Sequence, residues 1–457
     1  MSKRLTLLSL CLGLFLAQTD TTAVNLALPA IGESLHGSLA DLQWVIDAYN
    51  VAFAALLLTG GTLGDRFGRR RLFRCGIAVF VAGSLACALA PGTGVLVAAR
   101  AMQGAGGALA IPQSLALLAV VFPGRRERNR AMAAWSTVTG VALASGPVLG
   151  GFLVERAGWP AIFWLNVPVG LAALGLTFAV PESADGRPRG IDVPGQLLAV
   201  LFLGALTYAA VQTGVVPGVV AVLAGAAFVL VERRERAMLP LALLRRGQLR
   251  VAAVVALCMT FGMYGFLLLA SLHLQQVRHA DPLHAGLQLL PLPAMVVLGS
   301  PLTGRLVNRI GPRPAMAAGM TLMGGGLTAF ALAGPTAPLP YLEVVFAVLG
   351  AGLALNTGPV VNVAVSAVSP DRAGLAAGVV NLARMFGAAL GVAVLGVALA
   401  AAGLRAALAI GAAVELAGAL VAWFGVQSRE RKAAEVDTAG LDESAPSSSA
   451  ENAKSSR

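Results

Sequence analysis

Apolar residues fall in long runs separated by short polar or charged stretches, from residue 5 to about residue 426. Fourteen runs are centred near residues 17, 54, 81, 106, 142, 171, 202, 223, 262, 293, 324, 353, 388 and 415. A helix of about 20 apolar residues crosses the hydrocarbon of a bilayer. The period-two alternation of a membrane strand is missing. Gly and Ala are abundant within the runs, as close-packed membrane helices require. The pattern therefore predicts an all-α integral membrane protein with fourteen spans. The first run, residues 5–29, is too long for the apolar region of a signal peptide, contains Asp20 and lacks a convincing small-residue cleavage site. It reads as the first span.

Composition sharpens this picture. Apolar residues make up 57% of the 457 and charged ones only 12%, against about 25% charged in a soluble domain. The net charge of +11 resembles a nucleic-acid signal until the charges are placed. With the N-terminus in the cytoplasm, 28 of the 33 Lys and Arg fall on the cytoplasmic side. Arg156, Arg278 and Arg405 fall outside, and Arg100 and Arg384 lie within runs. This is the positive-inside bias. It predicts a multi-pass protein of a bacterial cytoplasmic membrane, with both termini cytoplasmic, lipid as its surroundings and no nucleic-acid partner. The abundance of Ala, Gly and Arg points to a high-GC bacterium.

Catalytic chemistry finds little support. Cys11, Cys75, Cys87 and Cys258 are scattered through apolar runs, without metal or disulfide spacing. His36, His273, His279 and His284 do not pair with cysteines or acids at ligand spacing. There is no nucleotide-binding loop and no Ser–His–Asp order. An enzyme, a metal or a bound cofactor is not expected.

An internal repeat organises the chain. "GTLGDRFGRR" from Gly61 is echoed by "GRLVNRIGPR" from Gly304, and "GAGGALAIPQS" from Gly104 by "GAGLALNTGPV" from Gly350. The first six runs thus resemble the last six, and runs seven and eight form an extra hairpin. The expected division is a six-helix bundle over residues 1–180, the hairpin and a charged linker over 181–250, a second bundle over 251–426, and a disordered polar tail over 427–457. Two repeated membrane halves with a site between them are the plan of many secondary transporters.

Ionisable residues inside the runs are the candidate functional groups, because each costs about 2.5–3.5 kcal/mol at a helix centre on insertion scales. They are Asp20, Asp47, Arg100, Arg384 and Glu415. The predicted topology puts Asp20, Asp47 and Arg100 at a shared level in the outer half of the membrane. Arg100, Gln103 and Gly107 share one helical stripe; Asn381, Arg384, Ala388 and Gly391 share another; Asp47 and Asn50 form a shorter one. Charges of this kind either pair to lock helices or carry protons and cations. The second reading is favoured for Asp20, and the two are balanced for Asp47, Arg100 and Arg384. Glu415, in the last run, is assigned a structural or lipid-edge role. Gln18, Thr22 and Asn25 lie roughly opposite Asp20, and the sequence does not decide which face turns inward.

Several motifs carry a family resemblance. The loop of Gly61, Leu63, Gly64, Asp65, Arg66, Gly68, Arg69 and Arg70 resembles the signature between helices two and three of the major facilitator superfamily. "LVAARAMQGAGGA" from Leu96 resembles its helix-four motif with a buried arginine. "GVALASGPVLGG", with Gly140, Gly146, Pro147, Gly150 and Gly151, resembles the helix-five motif of exporters. "DTTAVNLALPAI" from Asp20, "WVIDAYNVAFAALLL" from Trp44 and "NLARMFGAALGVAVLG" from Asn381 are similar to the fourteen-helix drug:proton antiporters. The chain departs from that branch at "WPAIF", residues 159–163, where the usual arginine and second tryptophan are missing, which puts the packing of helix six in question. The loop near residues 402–405 is also very short.

The resemblance implies two six-helix bundles plus an inserted two-helix hairpin. It further implies export of amphipathic, cationic compounds by proton antiport, with the proton gradient as energy source and a monomer as the working unit. Asp20 is then where substrate and proton compete, with Asp47, Arg100, Gln103, Asn381 and Arg384 around it. The signature loop implies a gate latch in which Arg66 or Arg69 pairs across the domain boundary. The latch is asymmetric, because Asn308 replaces Asp65 in the second copy. A rival reading is an exporter of one endogenous metabolite. Another is a non-transporting membrane sensor or scaffold, against which the motifs argue.

Overall fold

The computed structural model describes residues 3–184, 192–212, 215–232, 234, 247–334, 337–368 and 373–426. The expected tail and most of the charged linker lie outside the described residues, as does Arg372. The described chain is helical throughout. In a lipid environment only internal hydrogen bonding satisfies the backbone, and a helix supplies it.

Six helices come first: α1 (Lys3–Leu35), α2 (Leu39–Phe67), α3 (Arg69–Ala88), α4 (Thr93–Val121), α5 (Arg125–Ala157) and α6 (Pro160–Leu176). The hairpin follows as α7 (Val193–Gln212) and α8 (Val215–Val231). Then come α9 (Gly247–Leu272), α10 (Pro282–Leu289), α11 (Pro291–Ile310), α12 (Pro312–Leu332), α13 (Leu339–Ser366) and α14 (Ala373–Gly425). Ser38 and Asp41 start α2 with a reciprocal capping box.

The repeat is visible in backbone geometry. Gly68 (φ 105°) joins α2 to α3, and Gly311 (φ 85°) joins α11 to α12 at the corresponding place in the second copy. A side chain at either would be strained in the left-handed region.

Among the described residues ten helices are long and apolar enough to span a membrane, or eleven if α2, bent by 51° near Leu57, is one span. This is fewer than the fourteen expected, for identifiable reasons. The apolar stretches counted in α7 and α8, Val193–Ala209 and Val216–Val231, are shorter than a full span, and α14 runs unbroken by any loop through Gly403, whose φ of 81° marks a kink between two limbs.

The largest apolar core is built almost wholly from residues between Leu249 and Val426, and smaller cores mainly from residues between Leu10 and Val180, one of them joined by Leu268, Leu272 and Val392. The two sets meet near the end of the molecule that carries the α1–α2 turn. There Gln43 donates to the carbonyls of Val392 (3.0 Å) and Ala393 (2.9 Å), Ser271 to Asn25 O (2.8 Å) and Gln275 to Leu26 O (3.0 Å). A cavity of about 620 Å³ opens at this end, lined among others by Gly32, Glu33, Leu42, Gln275 and Leu399. The hairpin lies along the same seam. Gln196 of α7 bonds to Thr59 and to Ala55 O of α2, while Phe202 of α7 stacks on Phe386 of α14 at 5.8 Å.

Candidate functional site

Asp20 sits in the middle of α1 with no solvent exposure. Its Oδ2 lies 2.5 Å from Arg100 Nη1 of α4. Its Oδ1 accepts from Asn166 Nδ2 of α6 (2.7 Å) and Gln103 Nε2 of α4 (3.2 Å). Gln103 in turn donates to Ser84 of α3 (2.7 Å) and accepts from Arg100 (2.7 Å). Arg100 Nε reaches the carbonyl of Val45 on α2 (2.9 Å), and the guanidinium lies 4.6 Å from the centre of the Tyr49 ring. One carboxylate thus ties α1 to α4 and α6, Gln103 extends the network to α3, and the counter-ion grips α2.

Local sequence makes this close packing feasible. Methyl groups at Gly104 and Gly60 would sit 2.3 Å from the carbonyl oxygens of Tyr49 and Ala108, so glycine brings α2 and α4 into backbone contact. The stripe of Arg100 and Gln103 then reaches across to α1. A desolvated ion pair is tolerable only when its remaining donors and acceptors are met, and here they are.

The other candidates do not join this assembly. Asp47 is fully buried and Asn50 nearly so, and neither has a hydrogen-bond partner for its side-chain oxygens. Both follow Gln43 on the face of α2 that meets α14. Arg384 lies on the first limb of α14 and donates to Thr357 O of α13 (2.9 Å), while Thr260 of α9 donates to the Arg384 carbonyl (2.6 Å). Asn381, one turn away, is partly exposed. Glu415 is not at a lipid edge. It is wholly buried and turned toward α9, where a methyl on Gly262 would come within 2.1 Å of its Oε1. Hydrophobicity of the flanking residues alone did not reveal which face of the last run turns inward.

The exporter-like motif of α5 lies between α1 and α10. Methyls on Gly146 and Gly150 would strike Thr22 and Ala23 of α1. One on Gly151 would lie 2.4 Å from Pro282 O, and one on Gly286 of α10 would lie 2.3 Å from Pro147 O. Gly140 faces Val297 of α11. The face of α1 opposite Asp20 is therefore buried too. Thr22 meets α5, and the Asn25 carbonyl meets α9.

In the signature loop, Arg69 pairs with Asp65 (2.8 Å) and bonds to Ser183. Arg70 and Arg71 approach Glu182 at 3.6 and 3.8 Å. Arg66 lies over the Phe67 ring. Among the described residues these pairings run within α2–α3 and to residues 182–183, just past the first half, and none reaches the second half as expected. The segment after α6 reaches the loop first. Gly64 and Gly60 meet Gln113 of α4, which donates to Gly60 O (2.7 Å). By contrast Gly61 faces open space. At "WPAIF" the packing holds: Trp159 is buried and meets Phe163 edge-on at 6.2 Å.

Asn166, Ser84, Tyr49 and Gln113 were not singled out in the sequence. Asn166 left one trace, a lone amide in the apolar stretch "IFWLNVPVG".

A profile described as the Major Facilitator Superfamily matches residues 10–392 and 252–451. The chain belongs to the major facilitator superfamily. It is a membrane transport protein rather than an enzyme. Among similar superfamily members is "Multidrug resistance protein Stp" of Mycobacterium tuberculosis, 39% identical over 87% of this chain and 76% of the relative. The "Tetracenomycin C resistance and export protein" of Streptomyces glaucescens is 37% identical over 86% and 76%. The "Methylenomycin A resistance protein" of Bacillus subtilis is 35% identical over 92% and 93%. A crystal structure of a POT family transporter in complex with 5-aminolevulinic acid superposes with a TM-score of 0.71 at 13% identity, covering 91% of this chain and 94% of the other. That likeness concerns the superfamily fold alone.

Proposed function

We propose that the chain is a proton-coupled antiporter that exports amphipathic, cationic compounds by alternating access. The observation that carries this reading is the buried Asp20–Arg100 assembly. Ionised Asp20 holds Arg100, and Arg100 holds α2 through Val45 O and Tyr49. A proton taken up by Asp20 from the outer side forms an O–H bond and cancels the carboxylate charge. Arg100 then loses its counter-ion, and its grip on α2 changes. Because α2 also meets α14 through Gln43, the change reaches the seam between the halves. On the same face of α2, Asp47 and Asn50 offer a carboxyl group and an amide to a cationic substrate, Asp47 giving up its proton as the cation arrives. Arg384 and Asn381, on the first limb of α14, are the second half's contribution to the substrate path. The glycines of α5 seal the halves against leak.

In this reading the halves are residues 1–180 and 251–426, with the hairpin and linker at 181–250. The ten long helices, α2 as one bent span, α7, α8 and the division of α14 at Gly403 bring the spans to fourteen. Both termini are cytoplasmic, the working unit is a monomer in the bacterial cytoplasmic membrane, and the proton gradient is the energy source.

Relatives named for multidrug resistance support a broad substrate range. A second reading, export of a single endogenous product, draws support from relatives named "Tetracenomycin C resistance and export protein" and "Probable actinorhodin transporter". A panel of lipophilic cations and neutral aromatic antibiotics on an efflux-deficient host separates them. Resistance to several unrelated cations supports the first reading; resistance to one compound class supports the second; none, at normal membrane expression, contradicts both.

A further inference from the structure

Glu415 lies midway along the second limb of α14, beyond Gly403. Its carboxyl group is wholly buried, and neither oxygen has a hydrogen-bond partner. The seam around it is tight. Gly262 of α9 is pressed against Oε1, so that even a methyl there would come within 2.1 Å. One turn on, Gly418 packs on Cys258 of α9 and Met320 of α12, and Gly324 of α12 meets Leu416.

No cation faces the carboxyl among the described residues. From α9 the one titratable neighbour is the Cys258 thiol. The single charged residue of α12, Arg313, lies over Trp423 at 4.6 Å, two turns along α14. The helix α13, whose Glu343 is partly exposed, meets α14 where Arg384 donates to Thr357.

A wholly buried ionised carboxylate with no donor is the least tolerable group in such a seam, whereas the neutral acid resembles a buried amide. The seam as packed therefore holds the acid with its proton. The first half offers an informative contrast. There the acid, Asp20, stands on the first helix and the amide, Asn166, on the sixth. The spacing from Gly61 to Gly304 carries Asp20 to Met263, beside Gly262. In the second half the first helix thus has Met263, not an acid, at the corresponding place, and the acid stands on the last limb. Asp20 is met by three donors, and Glu415 by none.

We propose that Glu415 is a second proton-binding site of this transporter, occupied while α9 and the second limb of α14 are packed and vacated when they part. On parting, water reaches the carboxyl, its O–H bond breaks, and the proton leaves as hydronium. On repacking, the reverse transfer precedes closure. The site's place in an exchange cycle rests on the antiport reading, but its occupancy by a proton is a separate observable.

The test uses the full-length protein reconstituted in lipid vesicles, with ethidium as the cationic probe. Infrared spectroscopy reads the C=O stretch of a protonated carboxylic acid, and ¹³C-glutamate labelling assigns it to glutamate without any substitution. The expected result is a glutamic-acid band in the wild type that weakens when ethidium drives transport. The band is absent in Glu415→Gln and retained in Glu415→Asp at the shifted position of an aspartic acid. Glu415→Gln is also expected to move one fewer proton per ethidium. The proposal is overturned by a wild type without a glutamic-acid band, by a band that survives Glu415→Gln, by a band indifferent to ethidium, or by an unchanged proton count in Glu415→Gln. A wild type that moves ethidium without protons sinks the antiport reading instead, and the band still decides Glu415.

Discussion

Asn166 Nδ2 lies 2.7 Å from Asp20 Oδ1, so the sixth helix of the first half holds the carboxylate of the first. The bond fixes the Asp20 side chain on one side while Arg100 fixes it on the other. Asn166→Ala removes a hydrogen bond to a charged acceptor, worth about 1.5–3 kcal/mol. The expected outcome is a protein that still inserts and still binds substrate, with a lower unfolding temperature in detergent. An unfolding temperature equal to that of the wild type contradicts the role given to the amide.

Arg100→Ala is expected to be worse. Removing one member of a buried pair strands the other, at about 3–5 kcal/mol. Arg100→Lys keeps the charge but lacks the fork that serves Asp20, Gln103 and Val45 O together. Transport should fall in the order wild type, Lys, Ala. The double variant Asp20→Asn/Arg100→Ala should recover stability relative to Arg100→Ala alone. A thermal-shift series over wild type, Asp20→Asn, Arg100→Ala and the double variant checks this, and an additive double variant counts against the pair.

The motif glycines separate into two classes. Gly151→Ala places a methyl 2.4 Å from Pro282 O, while Gly61→Ala meets nothing within 4 Å. The first should uncouple α5 from α10 and let protons leak in the absence of substrate. The second should leave packing and leak unchanged. Passive acidification of vesicles, read with a trapped pH dye, distinguishes them. Equal leak from both variants removes the sealing role of α5.

How much of this was legible in the sequence follows from which signals a bilayer amplifies. A charge in an apolar run is expensive, so Asp20 and Arg100 stand out and their pairing could be anticipated from depth and stripe. The helices themselves are equally plain. A neutral amide costs less, so Asn166 passed unnoticed although it completes the site. Glu415 was visible as a charge, but α14 is apolar all round and its inward face depends on what α9 presents, which is Gly262. The loop pairing of Arg69 and Arg70 depends on where the chain after α6 returns, and no local pattern encodes that. Gly403 did leave a mark: the short stretch expected between the last two runs is the kink itself.

Asp65→Asn should weaken the signature loop without unfolding the protein. The pair with Arg69 is partly exposed, so its loss is worth at most about 1 kcal/mol. In a balanced equilibrium between two conformations that is still a shift of up to roughly fivefold. Reduced transport at normal expression, with an unchanged unfolding temperature, is the expected outcome. A wild-type rate excludes the latch.

Topology can be read with two single cysteines in a background lacking the native four. Arg71→Cys, in a side chain 78% exposed, should label only from the cytoplasmic side, and Ser34→Cys, in the exposed last turn of α1, only from outside. Labelling of Arg71→Cys from outside reverses the assigned orientation.

The most direct test of the account is proton release from the purified protein when a cationic substrate binds, measured in weakly buffered detergent solution. The wild type should release protons on adding ethidium, because the cation draws the protonated fraction of Asp20 into the ionised state that holds Arg100. Asp20→Asn, which keeps the shape of the side chain but neither its charge nor its titratable proton, should bind ethidium more weakly and release none from this site. If Asp20→Asn releases protons as the wild type does, coupling does not run through Asp20, and the proposed mechanism is wrong at its centre.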